Sequence, residues 1–589
     1  MPVFPKLRPG FRRTTTEDVV TPVPMTPAGR DEKDAATDNI EANTTTTTTN
    51  INDEDLKEEG LDETAQRGVQ DVQAVTLTWS KRSLVAVFIL MFLLYFVNAF
   101  QSSILYNLVP FATSSFETHS LLTVIYIVAN SMSAAIYIPL AKMLDIWGRA
   151  EGFLLMVAFA TLGLILMASG SGLSTFCAAQ VFYSIGFGGL IYSIDVITAD
   201  ASKLKNRGLA YAFTSSPYMI TAFAGPKASD DFYYNLSWRW GFGCFAIILP
   251  FVAAPLYIIL KLNLRKAAKQ GLLARERSGR TLTQNIWHYV QEFDAPGVIL
   301  FAGGLTVFLL PFTLADSAPN GWATDYIIAM IVVGFVVLAA FGLYEAYIAP
   351  APFLHVNLLA NRTVVGACLL DFTYQVSYYC WNSYFTSFLQ VVNDLTLAEA
   401  GYVGSTFDVV SGVLLLFVGL LIRRTGYFKW LLFVAVPLGI GYIVMCQILI
   451  AVGGAIFIIV QQIAILAAAD HQHVAAVLAL LYVVGNVGGA VGNTISGAIW
   501  TNTFADALAR YLPADISPTD LADIYNSLDV QLSYAKGSPE RRGIQHAYGY
   551  AQARMLAVGT GIMGLSLIWM FMIRNINVKK VAQVRGTVF

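Results

Sequence analysis

Six side chains between residues 371 and 385 recur at helical spacing inside an apolar run: Asp371, Tyr374, Gln375, Tyr378, Asn382 and Phe385. Their offsets of three, four, seven, eleven and fourteen place them on one face of an α-helix. Shorter stripes of the same kind are Asn98, Gln101, Ser102 and Tyr106, then Tyr126, Asn130, Ser133 and Tyr137. Two more are Tyr211, Thr214, Tyr218 and Thr221, and Tyr482, Asn486 and Asn493. In hydrocarbon each such group is costly unless it faces protein, water or a ligand. One alone reads as glue between helices. Together, in both halves of the chain, they predict a shared polar cavity. The candidate substrate contacts are Asn98, Gln101, Tyr106, Tyr126, Asn130, Tyr218, Tyr374, Gln375, Tyr378, Asn382, Tyr482 and Asn486.

Lys and Arg are missing from the cores of these runs, so no cationic clamp for phosphate or carboxylate is expected. No pair of His or carboxylates shares a face at ligand spacing, which excludes a metal site and bare iron as cargo. Phenols, amides and hydroxyls suit a large, nearly neutral, hydrogen-bonding ligand. A ferric trihydroxamate fits, since three hydroxamate charges cancel Fe³⁺. Three carboxylates remain in apolar surroundings: Asp195, Asp371 and Asp408. Burial favours the protonated form, so each is a candidate for proton coupling. Asp195 is preferred because Gln180, Ser184 and Ile191 align with it, but a neutral helix-packing carboxyl is the alternative at all three. No catalytic constellation is visible, so the chain does not read as an enzyme, and no cofactor is expected.

The elements that must position these groups are apolar runs of about 20 residues, each able to cross the hydrocarbon core as a helix. Fourteen are predicted, centred near Phe96, Ala129, Phe159, Gly186, Phe213, Leu249, Leu305, Val333, Ser377, Gly412, Leu438, Val460, Gly489 and Leu565. The composition agrees: of 589 residues 56% are apolar and 13% charged, against roughly 25% charged in a soluble domain. That excludes a soluble enzyme, a nucleic-acid-binding protein and a disulfide-stapled secreted domain. The five cysteines, Cys177, Cys244, Cys368, Cys380 and Cys446, lie in or beside apolar runs without CxxC spacing. The first residues lack the apolar core of a signal peptide.

Residues 1–80 read as a disordered acidic tail, with twelve acidic and three basic residues from Asp31 to Arg67 and six threonines from Thr44 to Thr49. Lys203, Lys205 and Arg207, seven basic residues from Lys261 to Arg280, and Arg423, Arg424 and Lys429 all fall on one side, whereas short loops opposite carry only Lys227 and Arg239. The positive-inside rule then places both termini in the cytoplasm. A long loop at 505–547 lies outside, with a possible sequon at Asn235. Its tyrosines and prolines suit a lid. Gly485, Gly488, Gly489 and Gly492 predict close helix contact. Glu117 and His119 could respond to external pH, while His471 and His473 read as a solvated turn.

The segment PLAKMLDIWGRAEG resembles the loop signature G-x-x-x-D-x-x-G-R-[KR] of the major facilitator superfamily. Asp145, Gly148 and Arg149 match, while Ala141 and Ala150 depart from it. Asp200 and Arg207, in ADASKLKNRG, look like a second clamp of the same superfamily. The runs YFVNAFQSSILYNLVPFA, AAQVFYSIGFGGLIYSIDVITAD, LSWRWGFGCFAIILP and YQVSYYCWNSYFTSFLQVV are similar to the fungal siderophore–iron transporters, nearest to carriers of triacetylfusarinine C.

The resemblance implies an all-α polytopic fold of fourteen transmembrane helices. A six-helix bundle spans 81–262, a basic linker 263–293, an inserted helix pair 294–345, a second bundle 346–574 and a tail 575–589. It implies a monomeric proton-coupled symporter in the plasma membrane that imports intact ferric siderophore, with gating by Asp145, Arg149, Asp200 and Arg207. The expected partners are the ferric siderophore, protons and the lipid bilayer, with no nucleic acid. The rivals are a drug–proton antiporter, which would keep a glycine-rich GPxxG run where this chain reads AFAGPKASDDFYY, and an iron-status sensor acting through its tail.

Overall fold

The computed structural model describes residues 66–116, 118–273, 281–315, 318–350, 360–441, 447–469, 473–581 and 588–589. All regular structure among the described residues is helical. The first group comprises α1 (Arg67–Thr78), α2 (Lys81–Ser115), α3 (Leu122–Ile146), α4 (Arg149–Ser169), α5 (Leu173–Asp200), α6 (Leu204–Ser215), α7 (Pro217–Tyr234) and α8 (Trp240–Lys269). Next come α9 (Leu282–Glu292), α10 (Ala295–Leu309), α11 (Pro311–Leu314) and α12 (Asp325–Tyr347). The second group starts with α13 (Arg362–Asn382), α14 (Phe385–Val392), α15 (Leu397–Gly404), α16 (Thr406–Thr425), α17 (Lys429–Gly441) and α18 (Gln447–Ala467). It ends with α19 (Val474–Tyr511), α20 (Pro518–Asn526), α21 (Leu528–Ser533), α22 (Pro539–Met563) and α23 (Ser566–Met572).

Eleven helices among the described residues are long and apolar enough to cross a membrane. At the other three expected positions the reasons are local. Around Phe213 the chain is divided into α6 and α7 at Ser216, where Pro217 starts a new helix. Around Ser377, α13 is long enough, but its polar stripe lowers its hydropathy. Around Leu438, α17 has 13 residues. Leu565 lies at the joint between α22 and α23.

One expectation needs correction, and the long connection has the local structure that its length suggests. The tail of residues 1–80 lies largely outside the described residues, but its last stretch is helix α1, with Val69, Val75 and Trp79 buried. Gly68 sits so close to the carbonyls of Leu144 and Asp145 that a Cβ would lie 2.5 Å from both oxygens. The connection at 505–547 is mostly helical: α19 continues to Tyr511, and Ser517, Ser527 and Ser538 cap α20, α21 and α22. Each serine hydroxyl accepts a backbone N–H that the helix leaves unpaired, and Pro518 and Pro539 fit the first turn.

Packing sorts the helices into a first half, α2–α8, and a second half, α13–α23, which meet along two seams. In one, α3 packs along α19, and α10 closes over it with Leu305 and Leu309 against Ile127 and Ala490. In the other, α6 and α7 pack on α15 and α16, where Gly419 lets α16 approach the backbone of Gly208 and Leu209 within 3.0 Å of a Cβ position. Within the second half, Gly488 and Gly492 bring α19 onto α13: a Cβ at either would lie 2.7 Å from the carbonyl of Phe372 or Val376. The glycine spacing of α19 thus serves close helix contact, as its sequence predicts.

Candidate functional site

Between the halves lies a cavity of about 390 Å³. The first half supplies Ser102, Ser103 and Tyr106 from α2, Tyr126 and Asn130 from α3, Gln180 and Ser184 from α5, and Tyr218 from α7. The second half supplies Tyr378, Tyr379 and Asn382 from α13, with Ser383 and Asn493 beside them. Ser405 and Asp408 complete the wall, and Asp408 is the only charged group among the lining residues. The hydroxyl of Tyr106 donates to Asn382 Oδ1 across the halves at 3.1 Å. Two wall atoms, Ser103 Oγ and Gln180 Oε1, are buried without a hydrogen-bond partner among the described residues. Buried polar atoms are rarely left so, and these two offer binding capacity to water or a ligand.

A second cavity of about 240 Å³ adjoins the first, with Asn130 and Tyr379 common to both walls. It holds Asp371, Gln375, Gln461, Gln462, Tyr482 and Asn486 among its lining groups. Gln461 Nε2 donates to Asp371 Oδ1 at 2.7 Å. Tyr482 lines this cavity on one side and donates to Asp195 Oδ2 in the first half. Asp195 Oδ1 accepts a second phenol, Tyr95, at 2.6 Å, and the carboxylate is 2% exposed.

Contacts between the halves lie at both ends. At the end bearing α1 and the Asp145–Arg149 turn, Tyr192 donates to the carbonyl of Ala475 at 2.7 Å and Tyr137 stacks on Tyr482. At the opposite end, Tyr384 donates to the carbonyl of Ser120 at 2.9 Å. There α20 and α21 form a cap: Ser120 Oγ donates to Asn526 Oδ1 at 2.7 Å, Leu528 N to Ser114 Oγ at 3.0 Å, and Tyr233 to Asp529 Oδ1 at 2.7 Å. The cap is tied to the second half by Arg541, 2% exposed, which donates to the carbonyls of Gln531 and Gln390 and to Asp394 Oδ1.

The turn between α3 and α4 needs Gly148, whose φ of +109° suits a residue without Cβ. It presents Arg149, 7% exposed, with Nη1 2.5 Å from Asp145 Oδ1 and Nε 3.0 Å from Asp200 Oδ2. The expected pairing of Asp200 with Arg207 is corrected. Arg149 takes Asp200, and Arg207 donates to the carbonyls of Ala199 and Ser202 at 2.8 and 3.2 Å. The sequence puts Arg207 nearer to Asp200, but the fold folds α4 back along α5 and brings Arg149 to it. The cluster ties α3, α4 and α5 within the first half.

Of the predicted substrate contacts, Tyr106, Tyr126, Asn130, Tyr218, Tyr378 and Asn382 share the larger cavity, and Asn130, Gln375, Tyr482 and Asn486 the smaller. Asn98, Gln101 and Tyr374 stand behind the walls. Asn98 donates to Tyr218 Oη at 2.8 Å, Gln101 accepts from Tyr183, and Tyr374 stacks on Tyr378. The three aspartates separate: Asp408 faces the larger cavity, Asp371 the smaller, and Asp195 neither. Sequence reasoning missed Tyr379, Gln461, Gln462 and Tyr95. Tyr95 lies three residues before Asn98 on the same stripe, and the two glutamines interrupt an apolar run, so both signals were present. His119 is buried. Glu117 and His471 lie outside the described residues.

A family profile described as the Major Facilitator Superfamily matches residues 91–493. The siderophore iron transporter mirB of Emericella nidulans is 62% identical over 556 residues, covering 92% of each chain. The chain belongs to the siderophore iron transporters of the major facilitator superfamily. Further relatives of this family include the MFS siderochrome iron transporter B of Aspergillus fumigatus, 55% identical over 89% of this chain and 87% of that one. The MFS siderochrome iron transporter 1 of Gibberella zeae is 54% identical over 91% and 90%. Among solved structures, a peptide transporter, POT, bound to alafosfalin superposes with a TM-score of 0.50 at 14% identity, over 86% of this chain and 99% of that one. That likeness speaks for the superfamily fold alone. In this member of the family, the cavities lie where helices of both halves face one another.

Proposed function

We propose that this transporter is a proton-coupled symporter that imports intact ferric hydroxamate siderophores of the triacetylfusarinine C type by alternating access. It does so as a monomer of fourteen spans in the plasma membrane, with both termini and the Asp145–Arg149 turn in the cytoplasm. The observation that carries this reading is the larger cavity, walled by phenols, amides and hydroxyls of both halves and free of Lys and Arg among its lining residues. A neutral, oxygen-rich complex binds such a wall by many hydrogen bonds, without the desolvation penalty of a charged ligand. The printed names of the relatives, siderophore and siderochrome iron transporters, support the substrate class. Iron is cargo here, enclosed by its chelator. At about 390 Å³ the cavity is at the low end of the roughly 300–1,000 Å³ usual for ligand sites. The cavity therefore widens to take a bulky complex.

The test is uptake of radiolabelled ferric triacetylfusarinine C into fungal cells lacking their own siderophore carriers. Expected is saturable accumulation that an added protonophore abolishes. Absence of uptake, or uptake indifferent to the protonophore, refutes the reading.

A further inference from the structure

The smaller cavity has features that the binding of a neutral siderophore leaves unused. Its one charged lining group, Asp371, is 4% exposed and faces Gly485, where a Cβ would collide with Oδ2. The missing side chain leaves room for Oδ2 against α19, while Gln461 holds Oδ1 and Gln375 of the same helix is a second amide partner. Gln461 is itself 5% exposed, and its Oε1 is buried without a hydrogen bond. The opposite wall is Tyr482, whose hydroxyl leads out of the cavity to Asp195. We propose that this cavity is the proton site of the carrier, separate from the substrate cavity: Asp371 takes up the proton, and Tyr482 joins that site to Asp195, whose negative charge holds the halves together. The proposal rests on the symport reading and names its coupling residues.

The surroundings contain no competing charge among the described residues. Around Asp371 the titratable neighbours are Cys368, Tyr374 and Tyr379 of its own helix, Tyr482 of α19 and Tyr137 of α3, while α18 offers only amides. Around Asp195 stand Tyr95 of α2, Tyr137 of α3, Tyr211 of α6, Tyr218 of α7 and Tyr482 of α19. Each carboxylate is thus held by neutral donors, and protonation alone changes its charge. A hydrogen bond to an ionised acceptor is roughly twice as strong as a neutral one. A proton on Asp195 therefore weakens its bond to Tyr482, a tie between α5 and α19 beside the Tyr192–Ala475 contact. One proton enters from the outer side and leaves on the inner side per cycle, and no other bond is made or broken.

The experiment compares accumulation driven by a pH gradient with gradient-free exchange of labelled for unlabelled ferric triacetylfusarinine C in proteoliposomes. For Asp371→Asn and Asp195→Asn, accumulation falls to the protonophore-treated level while exchange persists. Asp371→Glu restores accumulation with a shifted pH profile, a rescue that a packing role does not predict. Asp195→Asn also raises the labelling rate of Ala475→Cys, reporting a loosened inner seam. Asp408→Asn instead raises the half-saturating substrate concentration and leaves the pH profile in place. Loss of exchange in correctly inserted Asp371→Asn protein overturns the assignment and makes the cavity part of the substrate path. Asp371→Glu performing no better than Asp371→Asn also overturns it. Wild-type protein that exchanges but ignores the pH gradient removes symport itself, a failure distinct from either.

Discussion

Replacing Arg149 by Met removes the cation hydrogen-bonded to both Asp145 and Asp200. Asp145 is 6% exposed and Asp200 4%, and Arg149 reaches them at 2.5 and 3.0 Å. With the guanidinium gone, two buried carboxylates lose the cation they share. Breaking a buried pair in this way costs about 3–5 kcal/mol. For a chain of this length, with each kcal/mol worth about 1–2 °C when the trend for smaller domains is extended, the melting temperature falls by roughly 3–10 °C. The assay is thermal unfolding of purified protein in detergent at a fixed scan rate, because unfolding of such proteins is commonly irreversible. The decisive comparison is the triple variant Asp145→Asn, Arg149→Met, Asp200→Asn. It removes the stranded charges and recovers most of the loss. An Arg149→Met protein within 1 °C of wild type, by the ~3 °C lower bound above, refutes the reasoning. So does a triple variant no more stable than the single one.

Tyr106→Phe deletes one hydroxyl in the larger cavity and weakens binding of ferric triacetylfusarinine C about two- to tenfold in equilibrium titration, the worth of one hydrogen bond. Gly148→Ala forces a side chain into φ +109° and lowers stability by about 1–3 kcal/mol, read as a melting shift. Gly492→Ala places a methyl 2.7 Å from the Val376 carbonyl, prises α19 from α13 and costs about 1–3 kcal/mol on the same scale. Arg541→Met frees the cap from the second half, so limited proteolysis between residues 512 and 538 accelerates at least about tenfold, an opening cheaper by about 1.4 kcal/mol.

What the sequence revealed depended on whether one local pattern sufficed. The stripe from Asp371 to Asn382 identified the cavity face of α13, because helical periodicity alone sets which side chains share a side. Tyr379 escaped that pattern: it follows Tyr378 directly, yet lines both cavities, since α13 is wedged between them. Among the three aspartates the sequence favours Asp195 on helix-face alignment alone, because burial among apolar residues is common to all of them. Their separation is tertiary, set by Tyr95 and Tyr482, which lie 100 and 287 residues from Asp195. The partner of Asp200 was misread for the same reason. Helix α1 was hidden in a polar tail because its burial depends on Gly68 fitting the α3–α4 turn. The cap helices were hidden by loop-like composition, although their Ser-Pro starts were present at 517–518 and 538–539.

The cap also sets a threshold for opening at its end. Parting the halves at that end ruptures the bonds from Ser120, Leu528, Tyr233 and Tyr384. At about 0.5–1.5 kcal/mol net each, four such bonds make a barrier of roughly 2–6 kcal/mol. Small solutes that touch few wall groups return too little on arrival to shift that balance. A broad ligand engaging both walls at once returns more, so under the proposed symport reading opening is governed by how many hands a visitor can shake as well as by its outline.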